Sequence, residues 1–484
     1  MNNLPEIRLG LVAVSRDCFP KNFSAARRSR VAEAFRASYG EVYECPVCVE
    51  HETDVPVALR ALAEQGCNAL CIYFGNFGPE TPASMLAEKF SGPVMAVGAA
   101  EEDDLVQQRG DAYCGLLNFS YSIGMRKIRV YFPEYPIGTP EECAEKIAGF
   151  LPVARAVVGV RDLKIISFGP RPQDFVACNA PLQPLYDLGV SLEENSELDL
   201  YASFLEHSAD PRISETAEQM ALELGAGNRK PEVLPKLAQY ELTLLDWIRD
   251  HRGSSAFVAL AGKCWPAFQT QFGFVPCYVN SRLTARGIPV ACEVDLYGAL
   301  SEYLGMCITG EDVTLMDINN SVPQHLYREQ AADCGFRQQE LFMGFHCGNA
   351  PIARMKAPVM SNQLIMARSL PPEKTNGTLE GSMKAGNMTI FRLHGAADTT
   401  LCAYAAEGAF LDVDDRSFGS RGVIGIPEMD RFYRHVLLER HFPHHAAVAF
   451  SHCGKSLFEA MRLLGVPAER IYRNQPASER YPTE

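Results

Sequence analysis

Two apolar runs in this chain end in a carboxylate. Ile288-Pro289-Val290-Ala291-Cys292 runs into Glu293, and Val313-Thr314-Leu315-Met316 runs into Asp317. If both runs are parallel strands joined by a helix near 296–304, the two acids leave the sheet at one edge. In open α/β sheets that carboxyl edge is where ligands bind. Paired carboxylates there suit a metal site, a general acid/base pair, or both. Either acid alone reads as a cap for the following helix or as the partner of an arginine. Two of them, one βα unit apart, weigh toward chemistry.

Nitrogen ligands are available further along. Six of the eleven histidines lie beyond residue 390, and His444-His445, before the run Ala446–Phe450, is the tightest pair. His346 sits in Phe345-His346-Cys347-Gly348-Asn349, where a strand runs into a Gly/Asn turn. Two carboxylates with one or two imidazoles suit Mn²⁺ or another divalent first-row ion and are too poor in thiolate for structural zinc. Cys347 and Cys453 beside these histidines read as packing residues. Lys263-Cys264-Trp265-Pro266-Ala267-Phe268-Gln269 places an indole between a lysine and an amide at a strand-to-helix turn, a surface on which a sugar can stack. Trp265, Gln269, Lys263, Arg16 and Asn349 are therefore the substrate-binding candidates. The loop cations Arg16, Lys21 and Lys263 could meet an anionic group on a sugar, although each taken singly reads as solvated surface charge.

Other chemistries lack their motifs. Cys453-Gly454-Lys455-Ser456 ends like a P-loop, but Ala449 stands where the cradle needs its first glycine. The loop after the first strand, Ala13-Val14-Ser15-Arg16-Asp17, has no G-x-G-x-x-G, so the sheet is Rossmann-like without a dinucleotide site. Cys45-Pro46-Val47-Cys48 has redox or zinc spacing with no second pair and reads as a chance pair at a strand end.

These residues need a scaffold, and 484 residues are too many for one ordinary core. Residues 1–160 alternate strand and helix: Ile7–Val14, a helix through Tyr39 capped by Ser24, Val42–Cys45, a helix Asp54–Gln65, Asn68–Phe74, Ala83–Phe90 and Val94–Val97. Such βαβ repetition implies a parallel sheet covered on both faces. A second α/β unit, 161–335, starts at Asp162–Gly169, has helical patterns over Glu193–Arg252 and a strand at Ser255–Leu260, and carries both acids. Residues 336–484 read as mostly β, with strands near Glu340–Phe345, Met388–Leu393, Thr400–Ala406 and Ala446–Phe450 separated by Gly and Pro turns. The expected fold is thus two doubly wound α/β domains followed by a mostly β domain. A formal charge of −14 repels a phosphate backbone, so nucleic acid is an unfit partner. No apolar run reaches the roughly 20 residues of a spanning helix, which argues against a membrane partner. The N-terminus lacks signal-peptide features. Sixteen cysteines, many inside apolar runs, suit buried thiols in a reducing cytoplasm.

Taken in order, Cys264-Trp265-Pro266, Pro276-Cys277, Gly287–Asp295 and Phe442-Pro443-His444-His445 resemble the L-fucose/L-arabinose isomerase superfamily. Thr378-Leu379-Glu380-Gly381 and Met388–Leu393 look like that family's C-terminal β domain, and Ser15-Arg16-Asp17-Cys18-Phe19-Pro20 looks like fucose-isomerase-like sequences. The resemblance implies that Glu293 and Asp317 are acidic metal ligands, that His445 is the histidine ligand, and that His346 is the additional histidine of the arabinose branch. It also implies a homo-oligomer, commonly a hexamer, in which an N-terminal domain helps close a neighbour's site. The expected activity is metal-dependent aldose–ketose isomerisation of a free sugar through a cis-enediol, on L-fucose, L-arabinose or a modified hexose such as sulfoquinovose. Glu293 and Asp317 would move the protons. A non-catalytic sugar-binding protein and a metal-dependent aldolase or lyase are the alternatives.

Overall fold

The computed structural model describes residues 2–179, 181–479 and 481. The chain forms two compact units. One holds residues 5–158 with 462–464, and the other holds the remaining described residues.

In the first unit, β1 (Leu9–Val14), β2 (Tyr43–Val49), β3 (Ala69–Phe74), β4 (Val94–Ala99) and β5 (Ile137–Gly138) form a parallel sheet in the order β2-β1-β3-β4-β5. β1, β3 and β4 are buried at every position. That is why they read as unbroken apolar runs. β2 is longer than expected and runs through Pro46. Proline is tolerated there because β2 is an edge strand. Cys45 and Cys48 are buried free thiols, and burial pushes the Cys48 thiol up to about 11, which fits the reading of a chance pair. Ser24 is not a cap. The helix already begins at Lys21, and the Ser24 hydroxyl donates to Val14 O at 2.7 Å. Arg16 is held within this unit by Glu80 at 3.2 Å and lies over the Phe77 ring.

The second unit contains two sheets. β6 (Leu163–Phe168), β7 (Ser191–Asn195), β8 (Phe257–Gly262) and β9 (Val290–Cys292) are parallel in the order β7-β6-β8-β9. The other sheet comprises β10 (Val313–Ser321), β11 (Leu341–His346), β12 (Val359–Asn362), β13 (Asn376–Ser382), β14 (Gly386–Gly395), β15 (Leu401–Phe410), β16 (Ser420–Gly425), β17 (His445–Ala449) and β18 (Ile471–Arg473). Its order is β12-β13-β16-β11-β10-β17-β14-β15-β18, and a further β15–β16 pairing closes six of these strands into an antiparallel barrel. The run ending at Asp317 therefore does not continue the parallel sheet. β10 pairs antiparallel with β11 and β17. A strand buried on both faces looks the same in sequence whichever sheet takes it, so the apolar run could not reveal its partner.

The helix Leu296–Thr309 links the two sheets. It is buried from Leu296 to Ile308 and packs on β8 and β9 on one side and on β10, β14 and β17 on the other. One hydrophobic core spans both sheets, from Ile166, Leu260 and Val290 to Met316, Ile390 and Val448. Glu293 precedes this helix and Asp317 follows it, so a single rigid element sets the spacing of the two acids. No helix among the described residues is long and apolar enough to cross a membrane.

Candidate active site

Glu293 is presented by a strained turn. Cys292 ends β9, and both Glu293 and Val294 take left-handed backbone with φ of 54° and 55°. That region is unfavourable for side-chain-bearing residues, above all for β-branched valine, and such strain clusters at functional sites. The turn reverses the chain within two residues and lets Asp295 cap the helix, its carboxylate accepting from Gly298 N at 2.9 Å. Asp317 and His445 face each other across the β10–β17 ladder as direct register partners. His346 ends β11, next to Phe345, which is the partner of Asp317 on the other side.

These side chains converge. The Nε2 atom of His445 lies 3.5 Å from Glu293 Oε2 and 3.4 Å from Asp317 Oδ1. Both carboxylate oxygens are buried and have no hydrogen-bond partner among the described residues. His346 Nε2 stands 3.7 Å from the same Glu293 oxygen, and His444 Nε2 stands 3.7 Å from Asp317 Oδ1. Two orphaned, buried carboxylate oxygens around one imidazole nitrogen leave uncompensated negative charge that a divalent cation would satisfy. The donor set, two hard oxygens and imidazole nitrogen, fits such an ion.

Behind His445 lies a buried relay that the sequence reading missed. The Nδ1–H of His445 donates to Asp295 Oδ2 at 2.8 Å, and the Arg392 guanidinium donates to both Asp295 oxygens at 2.8 Å. Asp295 and Arg392 are each 1% exposed. Burial alone would raise the Asp295 carboxyl, but the Arg392 charge and the His445 hydrogen bond outweigh it and hold the carboxyl far below the usual range. With the proton fixed on Nδ1, the lone pair of His445 Nε2 points at the two acids. A carboxylate that orients a ligating histidine in this way is the common outer support of metal sites. His346 is set differently. Its Nδ1 accepts from Cys347 N at 2.8 Å, which places the proton of the neutral ring on Nε2, toward Glu293. Glu293 is pushed up by burial and pulled down more strongly by His346, His445 and His444 around it, so its carboxyl lies below the ordinary value.

The remaining candidates are dispersed. Lys263 lines the small cavity that Glu293 and His346 also line, and its ammonium is paired with Glu197 at 2.6 Å. Trp265 is half-buried at the start of the same turn, outside the residues lining that cavity. Gln269 is fully buried, and its amide nitrogen donates to the carbonyls of Cys264 and Pro266. Asn349 is buried, and its Oδ1 has no hydrogen-bond partner among the described residues. Arg16 belongs to the other compact unit. A segment that the sequence reading passed over, residues 169–179, packs on the site: the Phe175 ring sits 5.6 Å from His444 and 6.1 Å from His445, and Cys178 Sγ lies 3.8 Å from His445 Nδ1.

Residues 10–161 match the family model described as the fucose/sulfoquinovose isomerase N-terminal domain, and residues 344–471 match the L-fucose isomerase C-terminal domain. A sulfoquinovose isomerase of Alkalicoccus urumqiensis is 27% identical over 344 residues, covering 69% of this chain and 71% of that protein. Sulfoquinovose isomerases of Priestia aryabhattai and of Clostridium sp. (strain MSTE9) are 25% and 26% identical over 341 and 310 residues. They cover 69% and 61% of this chain and 70% and 62% of their own length.

Proposed function

Because this chain belongs to the fucose isomerase-like family and is an aldose–ketose isomerase, we propose that it acts on a free aldohexose of the sulfoquinovose type through a cis-enediol. Glu293, Asp317 and His445 would hold a divalent ion, with Mn²⁺ favoured. When bound, that ion holds neighbouring sugar oxygens and polarises the carbonyl.

The chain's own residues carry the protons. Glu293 takes the proton from C2. It is ionised at neutral pH, with the His346 imidazole beside it at 3.7 Å. Asp317 moves a proton between the two sugar oxygens. His445 is locked by Asp295 and Arg392, so its Nε2 offers a lone pair to the ion and no proton to the carboxylates. His346, expected as a fourth ligand, faces Glu293 Oε2 with its Nε2 at 3.7 Å, outside hydrogen-bond distance. The observation that carries the reading is the convergence of the orphaned oxygens of Glu293 and Asp317 on His445 Nε2.

Homo-oligomeric assembly, a hexamer in the family pattern, is part of the proposal. It is supported by a stripe on the helix Ala112–Met125 that leaves Tyr113, Leu117, Tyr121 and Met125 between 59% and 72% exposed. A reducing, cytoplasmic setting is supported by sixteen cysteines of which none forms a disulfide. The test follows sulfoquinovose by NMR in deuterated water with Mn²⁺-loaded protein. Solvent deuterium entering at C1 or C2 of the ketose–aldose pair is expected. Full turnover after exhaustive chelation overturns the ion, and cleavage of the carbon chain overturns isomerisation.

A further inference from the structure

We infer that Arg171 is the residue that recognises an anionic group at the far end of the sugar, and that the segment 169–179 is the specificity loop of the site. This deepens the reading above and rests on it. Residues 169–179 leave β6 at the carboxyl edge of the parallel sheet. Their first residue is anchored beside Lys263: Gly169 N donates to Asn195 O at 2.7 Å, and a Cβ at Gly169 would stand 2.7 Å from the Glu197 carboxyl carbon, the group that pairs with Lys263. Further along, Phe175 and Cys178 lie against His445. The segment therefore runs from the Lys263–Glu197 pair to His445, and Arg171 lies between these anchors along the chain. Phe175 is four positions further on, so their Cα atoms are at most ~14 Å apart.

Arg171 differs from the other cations at this edge. Lys263 is neutralised by Glu197, and Arg392 is consumed by Asp295. The Nε of Arg171 is buried without a partner, and among the described residues its guanidinium makes no hydrogen bond and no ion pair. A chain of net charge −14 with two carboxylates at its site repels an anionic sugar unless a local cation compensates. A guanidinium is suited to this because its fork matches two oxygens of a tetrahedral sulfonate or phosphate, whereas an ammonium meets them as a point charge. With C1 and C2 at Glu293, the terminal group of a hexose is the part left to reach this loop.

The test uses Mn²⁺-loaded wild type, Arg171→Gln and Arg171→Lys. Turnover and calorimetric binding are measured with sulfoquinovose, glucose 6-phosphate and neutral 6-deoxyglucose. The expected result is that the kcat/KM ratio of sulfoquinovose over 6-deoxyglucose falls about 10- to 100-fold in Arg171→Gln, through KM rather than kcat, with partial recovery in Arg171→Lys. An unchanged ratio, or equal losses on both sugars, overturns the assignment and leaves the isomerase reading standing. Sulfoquinovose that binds wild type in an Arg171-dependent way without turning over overturns the isomerase reading and supports Arg171. Stronger Arg171-dependent binding of glucose 6-phosphate supports the anion role and replaces sulfonate by phosphate ester. A sulfonated sugar that neither binds nor reacts overturns both.

Discussion

Replacing Asp295 by asparagine changes almost no volume and tests the relay behind the site. Asp295 accepts four hydrogen bonds, two from Arg392 and one each from Gly298 N and His445 Nδ1. Every partner is a donor, so the new amide group must face a donor in either orientation. Placed at the Oδ2 position, it meets His445 Nδ1 and drives the ring to the other tautomer, putting a proton on Nε2 against Glu293 and Asp317. Removing the outer support of a ligating histidine typically costs 10- to 100-fold in metal affinity. Separately, Arg392 loses its counter-charge while fully buried. An uncompensated buried charge costs about 3–5 kcal/mol of stability. The assay is a Mn²⁺ titration of chelated wild type and Asp295→Asn, paired with urea unfolding of both metal-free proteins. The expected result is weaker Mn²⁺ binding together with a lower metal-free unfolding free energy. Unchanged affinity with unchanged stability would refute the relay. Lost stability with intact affinity would leave Asp295 as a support for Arg392 alone.

Glu293→Gln and Asp317→Asn should each lower kcat about 10²- to 10⁴-fold. Neither should lower the metal-free melting temperature, because Glu293 Oε2 and Asp317 Oδ1 have no hydrogen bond to lose; near-normal turnover by either variant removes the acid/base assignment. Chelation should abolish turnover and lower the melting temperature, since an ion at 100 times its Kd adds about 2.7 kcal/mol; calorimetric scans with and without Mn²⁺ check this. His394 carries the pH prediction. Burial and the Arg392 charge lower it from 6.5 to about 3. Its folded value lies below its unfolded one, so its contribution is intact above pH 6.5 and is lost as the pH falls toward 3. The upper bound is about 5 kcal/mol, reduced by the ring's partial exposure. Urea midpoints of wild type should decline over that window, and His394→Gln should flatten the decline.

The sequence was most readable where strands are buried on both faces. β1, β3, β4, β8 and β9 are apolar runs and stand close to where their composition placed them. β7, Ser191–Asn195, was hidden inside a helical pattern because its residues are polar and half-exposed on an edge. β13 and β16 were hidden by glycines that read as turns, Gly377 among them. The site was legible as residue types and not as partners. Glu293, Asp317 and His445 stood out because carboxylates and paired histidines at strand ends invite chemistry. Asp295 did not, because two residues after Glu293 it looks like a helix cap, and it is one. The signal that could have found it was Arg392, a charge inside the apolar run Met388–Leu393. A buried arginine needs a buried acid. The segment 169–179 had no periodic pattern, and its importance comes only from the tertiary packing of Phe175 and Cys178.

The position of β17 has a consequence for how the molecule is made. It is the central rung between β10 and β14, yet it begins fifty residues after β14 ends. A nascent polypeptide that has emerged only through β16 carries two strands with open inner edges and lacks the imidazole of His445, which completes the proposed site. The hydrogen bond from His445 to Asp295 spans 150 residues, so loop closure must precede it, and such non-local pairing is slow. Activity should therefore arise all at once, late in biosynthesis. Variants that delay docking of this strand should be lost to edge-to-edge aggregation during expression rather than surviving as weak enzymes.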